Sequence, residues 1–133
     1  MLGARRWQRN MIIIDANAIL RYMLNDNINM AKTVNDLISK NKVTVRYEVV
    51  AEVVYVLEKV YALPRNEIKD GIAIFLSLSN IETENAEVLL LALETYSDKK
   101  LDFVDCLLYG FKAICGYEVF TFDKDLNKLM NRI

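Results

Sequence analysis

Apolar residues first appear as a short β-branched run, Met11-Ile-Ile-Ile14, ended by Asp15. A continuous run of that length bounded by a polar residue reads as a strand buried on both faces. Ala18 to Leu24 and Met30 to Ser39 read as helices, the second with Met30, Val34, Leu37 and Ile38 spaced for one helical face. Val43 to Val45 gives a second short strand. Between Tyr47 and Leu63 the valines favour strand by propensity, but periodicity decides for a buried helix. Val49, Val50, Val53, Val54, Leu57, Val60 and Tyr61 recur at helical spacing over a length that ordinary strands do not reach. Pro64 interrupts, and Arg65 to Leu78 reads as the next helix. Asn80 to Thr83 is an edge-like strand and Ala86 to Tyr96 a leucine-faced helix. Phe103 to Cys115 is a helix with Phe103, Leu107, Tyr109, Phe111 and Ile114 mostly inward, stopped by Gly116. Glu118 to Phe122 reads as a fourth strand and Lys124 to Met130 as a closing helix. Strands alternating with helices predict an α/β fold: three layers, α/β/α, around a small parallel sheet of about four to five strands with Rossmann-like right-handed crossovers.

Composition narrows the chemistry. The chain has 133 residues, 53% of them hydrophobic, with one Pro and four Gly, enough for one domain with a real core over 11–133. It contains no His, which removes Ser-His-Asp hydrolysis, Cys-His chemistry, imidazole-based RNA cleavage and most catalytic zinc sites. Acid-base or metal chemistry must therefore come from carboxylates. Cys106 and Cys115, nine residues apart on an apolar stretch, read as buried thiols suited to a reducing cytoplasm. Residues 1–10 read as an appendage, flexible or of artificial origin, because the apolar run after Arg5, Arg6 and Arg9 is too short for a secretory signal. No stretch approaches membrane-spanning length. Without those three arginines the formal charge falls from -1 to -4, so a polyanion must be recruited locally, by metal ions or a small basic rim.

Two carboxylates fall where parallel α/β sheets bind ligands, outside the carboxyl ends of strands: Asp15 after the first and Asp123 after the fourth. Taken singly, each reads best as a helix N-cap. Glu52 lies among valines at the edge of the core, where an unpaired charge is costly; an ion pair or simple exposure on a narrow polar stripe is a reading comparable to a functional role. Glu48, one turn earlier, is a reserve candidate. Asp102 and Asp105 share one side of a helix start; the helix dipole accounts for Asp102, while Asp105, one turn deeper, is the better functional candidate. Carboxylates in this number suggest a hard-cation site, Mg²⁺ or Mn²⁺.

Ile13-Ile-Asp15-Ala-Asn17, Ala51-Glu52-Val-Val-Tyr55-Val-Leu57, Leu101-Asp-Phe-Val-Asp105-Cys-Leu107 and Thr121-Phe-Asp123-Lys-Asp125-Leu126 together resemble, in order and spacing, the four acidic motifs of PIN-domain nucleases. The resemblance runs from Met11 to the C-terminus and is nearest to VapC-type toxins of prokaryotic toxin-antitoxin pairs. It implies an acidic quartet of Asp15, Glu52, Asp105 and Asp123 holding one or two Mg²⁺ or Mn²⁺ ions, with Asn17 and Thr121 as polar supports. Asp102 and Asp125 are secondary acids. Ala16 stands where Thr or Ser is common, a mild departure that removes a supporting hydrogen bond. The implied activity is endoribonucleolytic hydrolysis leaving 5′-phosphate and 3′-hydroxyl ends; the implied partners are RNA, a protein antitoxin and a second copy of the chain in a homodimer. Arg21, Arg46 and Lys124 flank the motifs and are candidates to guide the RNA backbone, although solvated surface charge is the plainer reading of each.

Other α/β functions lack their marks. No Gly-rich turn follows Met11 to Ile14, so dinucleotide and P-loop sites have no phosphate cradle. A phosphatase with an aspartyl nucleophile wants an acid two residues after Asp15, where Asn17 sits. Two further readings are a PIN nuclease of RNA maturation outside any toxin pair and a catalytically silent PIN module that binds RNA or protein; an intact quartet argues against the silent form.

Overall fold

The structure, a computed structural model, describes residues 11–133; the expected appendage at 1–10 lies outside the described residues. Among them are three strands and seven helices: β1 (Met11–Ile13), α1 (Ala16–Leu24), α2 (Ile28–Lys40), β2 (Lys42–Thr44), α3 (Tyr47–Lys59), α4 (Arg65–Leu76), β3 (Ile81–Glu82), α5 (Ala86–Asp98), α6 (Phe103–Cys115) and α7 (Lys124–Met130). The α/β reading holds. Two compact units divide the chain, 11–53 with Ile74–Glu84, and Val54–Ala73 with Asn85–Ile133.

The first unit contains the parallel sheet, in the order β1-β2-β3. Met11, Ile12 and Ile13 face Lys42, Val43 and Thr44, while Val43 and Thr44 face Ile81 and Glu82. The central strand carries the most deeply buried side chain of the sheet, Val43, and Val45 just beyond its end is almost fully enclosed too. β1 was expected to be buried on both faces, but it is an edge strand among the described residues, and Met11 and Ile13 are exposed. Helix α1 opens at Asp15 and closes at Asn25, which takes the left-handed φ of 52° that Asn tolerates. Helix α2 starts at Asn27, whose side chain accepts from the Met30 N–H at 3.0 Å. Its buried stripe is Ala31, Val34 and Ile38; Met30 is rotated off that stripe and exposed, contrary to the sequence expectation.

The second unit is helical. Its core joins Val88, Leu89, Ala92 and Leu93 of α5 to Cys106 and Leu107 of α6. Gly110 permits that approach, since a Cβ there would lie 3.0 Å from the Val88 carbonyl oxygen. Helix α3 stops at Lys59, so Val60 and Tyr61, expected on its apolar face, are exposed. Ile114 is exposed and Cys115 only half-buried, whereas Cys106 is fully enclosed and burial pushes its thiol up to about 12.

One guanidinium organises much of this unit. Arg65, at the start of α4, donates from Nη1 to the carbonyl oxygens of Tyr96 at 3.1 Å, Lys99 at 3.1 Å and Leu101 at 2.6 Å. Its Cζ lies over the Tyr96 ring, 4.2 Å from the ring centroid, and its Nε is 3.4 Å from Glu58 Oε1. The Tyr96 hydroxyl donates to the same carboxylate. That bond, foremost, holds the Glu58 carboxyl below the usual range, and burial pushes the phenol up.

The expected fourth strand is corrected. Residues 118–122 join no ladder among the described residues, so three strands replace the expected four to five. The alternation read from the sequence is present, with Val119 and Thr121 half-buried and Phe120 and Phe122 exposed, but alternation describes an extended chain, not a paired one. Side chains answer the backbone here instead: Asn127 Nδ2 donates to the Thr121 carbonyl oxygen at 2.9 Å. The two exposed rings lean edge-to-face, with centroids 5.2 Å apart.

Candidate active site

In the first unit, Asp15 lies two residues beyond the end of β1 and caps α1, its Oδ1 accepting from the Ala18 N–H at 2.9 Å. Asp15 and Asn17 are both exposed. Glu52 is exposed as well: it sits not at the core edge but on the narrow polar stripe that was its alternative reading. Val50, Val53 and Val54 take the inward face of α3 and leave Glu52 on its polar stripe. Glu48 pairs with Arg46 at 3.1 Å, and its own backbone N–H, then Arg46, holds its carboxyl below the usual range. Arg21 pairs with Asp26 at 3.2 Å. For Arg46 the plain surface reading is thus the observed one, whereas Arg21 is half-buried and its Nε is enclosed.

In the second unit, Asp123 caps α7, with Oδ1 accepting from the Leu126 N–H at 2.8 Å. Thr121 supports it directly: its hydroxyl oxygen accepts from the Asp123 N–H at 3.0 Å and so fixes the turn from which the carboxylate projects. Asp102 is the N-cap residue of α6 but makes no side-chain cap bond, and Asp105 lies in the first turn. Asp105 is half-buried, and its carboxyl is pushed above the usual range first by burial, then by the charges of Asp123 and Asp102. Three acids separated by up to 21 positions in the chain therefore share one electrostatic neighbourhood. Asp125 is exposed in the first turn of α7.

The all-oxygen donor set suits a hard divalent cation, and the like-charge strain on Asp105 is of the kind that such an ion relieves. The fit is one of donor chemistry and charge. Among the described residues no group of three or more His, Cys, Asp or Glu is arranged to hold a metal. Nor, among them, is any helix long and apolar enough to cross a membrane.

Sequence reasoning passed over Arg65, Glu58 and Tyr96. The available signal was a Glu on a valine-rich helix seven residues before an Arg that follows a helix-breaking Pro; the ring that joins them is remote in sequence.

A family profile described as the PIN domain matches residues 12–130, a span that includes all four acidic motifs. No curated protein and no solved structure matches the chain. Matched over nearly its whole length, the chain belongs to the PIN domain family, whose members are generally nucleases that use divalent metals.

Proposed function

We propose that this protein is a Mg²⁺- or Mn²⁺-dependent endoribonuclease in which Asp15 and Glu52 act together with Asp105 and Asp123, and that it serves as the toxin of a toxin-antitoxin pair. The observation that carries the reading is the family match across four acidic motifs in order. One or two ions, when bound, supply Lewis acidity toward the phosphodiester and activate water for hydrolysis. The chain's own contribution is orientation. Thr121 and the α7 cap hold Asp123, the α1 cap holds Asp15, and Asp105, its pKa raised first by burial and then by the charges of Asp123 and Asp102, is a carboxylate that a cation would relieve. Asn17 supports Asp15, while Asp102, Asp125 and Glu48 are secondary acids in this scheme. The toxin reading adds a protein antitoxin and a homodimer as partners, on the strength of the motif resemblance alone.

The substitutions Asp15→Asn and Asp123→Asn test it cleanly. Asn is as good an N-cap as Asp, so each variant retains its helix start and loses only the carboxylate. Both should fold normally and lose Mg²⁺-dependent cleavage of RNA. Wild-type cleavage rates in both would sink the proposal. For the toxin role, induced expression should arrest growth in the wild type and not in either variant.

A further inference from the structure

We infer that the second unit carries a phosphate-binding cleft for single-stranded RNA, lined by Lys99, Lys100, Lys128 and Arg132. A cavity of about 340 Å³ lies among these four cations, with Leu101 and one acid, Asp125, also on its walls. The whole chain has a formal charge of -1, so four cations against a single carboxylate in one cleft is a local concentration and not a share of a basic surface. Among the described residues Lys100, Lys128 and Arg132 form no ion pair, and Lys99 meets only its neighbour Asp98 at 3.6 Å. Like charges left facing one another repel, and a polyanion relieves them.

Both walls are built. The 99–101 wall is pinned by the Arg65 bonds to the carbonyl oxygens of Lys99 and Leu101. The remaining cations come from the end of α7, which carries Lys128, and from the turn after its cap Asn131, where the Arg132 N–H donates to the Leu129 carbonyl oxygen at 3.2 Å. Four cations lining one cleft offer the phosphates of a single strand several charge-assisted contacts. The choice of RNA as the polyanion rests on the ribonuclease reading above.

The test is binding of a labelled oligouridylate to the full chain, followed by anisotropy in EDTA over a series of salt concentrations. Lys99→Ala/Lys100→Ala and Lys128→Ala/Arg132→Ala each strip one wall; Lys32→Ala/Lys40→Ala on α2 removes equal charge elsewhere. Each contact to a single-strand phosphate contributes about 0.7 to the log–log salt slope, so each cleft pair should flatten it by about 1.4 and raise Kd about tenfold at about 0.1 M salt. The α2 pair should change neither. All replaced side chains are exposed, and circular dichroism checks each fold; if one wall's variant misfolds, the other decides. Cleft variants that behave like the α2 pair overturn the cleft, as does an oligoglutamate peptide that binds the same residues more tightly than the RNA. The two readings separate: binding lost from the cleft variants with no cleavage by the wild type sinks the nuclease and keeps the cleft, whereas cleavage with unaltered binding does the reverse.

Discussion

Replacing Arg65 with Ala removes three hydrogen bonds, a ring contact and an ion pair in one step. A hydrogen bond from a charged donor nets roughly 1.5 to 3 kcal/mol, and a cation over an aromatic face adds about 0.5 to 1. Direct addition overshoots. The Nη1 atom has only two hydrogens for its three carbonyl acceptors, and the side chain is 29% exposed, so water replaces part of what is lost. The discounted loss is about 2 to 4 kcal/mol, which at roughly 4 °C per kcal/mol for a chain of this size lowers Tm by about 8 to 16 °C. Arg65→Lys retains the charge without the planar fork or the stack and should recover less than half. The pH dependence carries a sign. Glu58 has a depressed carboxyl pKa in the folded state, so the stability it contributes is present above the unfolded value and lost as pH falls through the folded one. The gap between wild type and Arg65→Ala should therefore narrow in acid. Urea unfolding over a pH series measures this; a loss under about 1 kcal/mol, or full rescue by Lys, refutes the assignment of Arg65 as the organising side chain.

Asp105→Asn should stabilise the metal-free protein at neutral pH, because a raised folded pKa means that ionisation opposes folding. The gain should fade as pH falls through the raised folded value and be gone below the ordinary carboxylate value of about 4, and an Asn variant less stable than wild type at neutral pH would overturn the reading of a carboxylate strained by burial and like charge. Gly110→Ala should destabilise by about 1 kcal/mol, since a helix-propensity gain of nearly that size is outweighed by a Cβ forced against the Val88 carbonyl oxygen, a backbone atom that cannot swing away. A rise in Tm for that variant would show that α5 and α6 have room to separate.

Periodicity located all seven helices of the described residues, and α6 and α7 fall on the expected ranges, because their apolar spacing and their stop signals, such as Gly116 at φ 73°, are local. The strands were legible at β1, β2 and β3 but not at 118–122, where alternation reveals an extended chain and cannot reveal whether a neighbour pairs with it. Likewise, the burial of β1 follows from its position in the strand order, which no short apolar run encodes. At the candidate site, the cap roles of Asp15 and Asp123 were readable from residue type and position. The neighbourhood of Asp105 and Asp123 was readable only through the family resemblance, since it depends on how α6 and α7 meet. The sequence left Glu52 open between the core edge and an exposed polar stripe, and the stripe is what the structure has, since valine neighbours on a helix fill one face and leave the next residue outside.

The double duty of Asp15 and Asp123 has an evolutionary reading. Their structural task, accepting one backbone N–H at a helix start, is performed equally well by Asn or Ser, so selection for folding is blind to such an exchange. Only selection for chemistry keeps an acid at these positions. In lineages of related chains, drift from Asp to Asn or Ser at 15 and 123, with the helices that follow left intact, would mark the point at which catalysis was relinquished and the fold kept for other purposes.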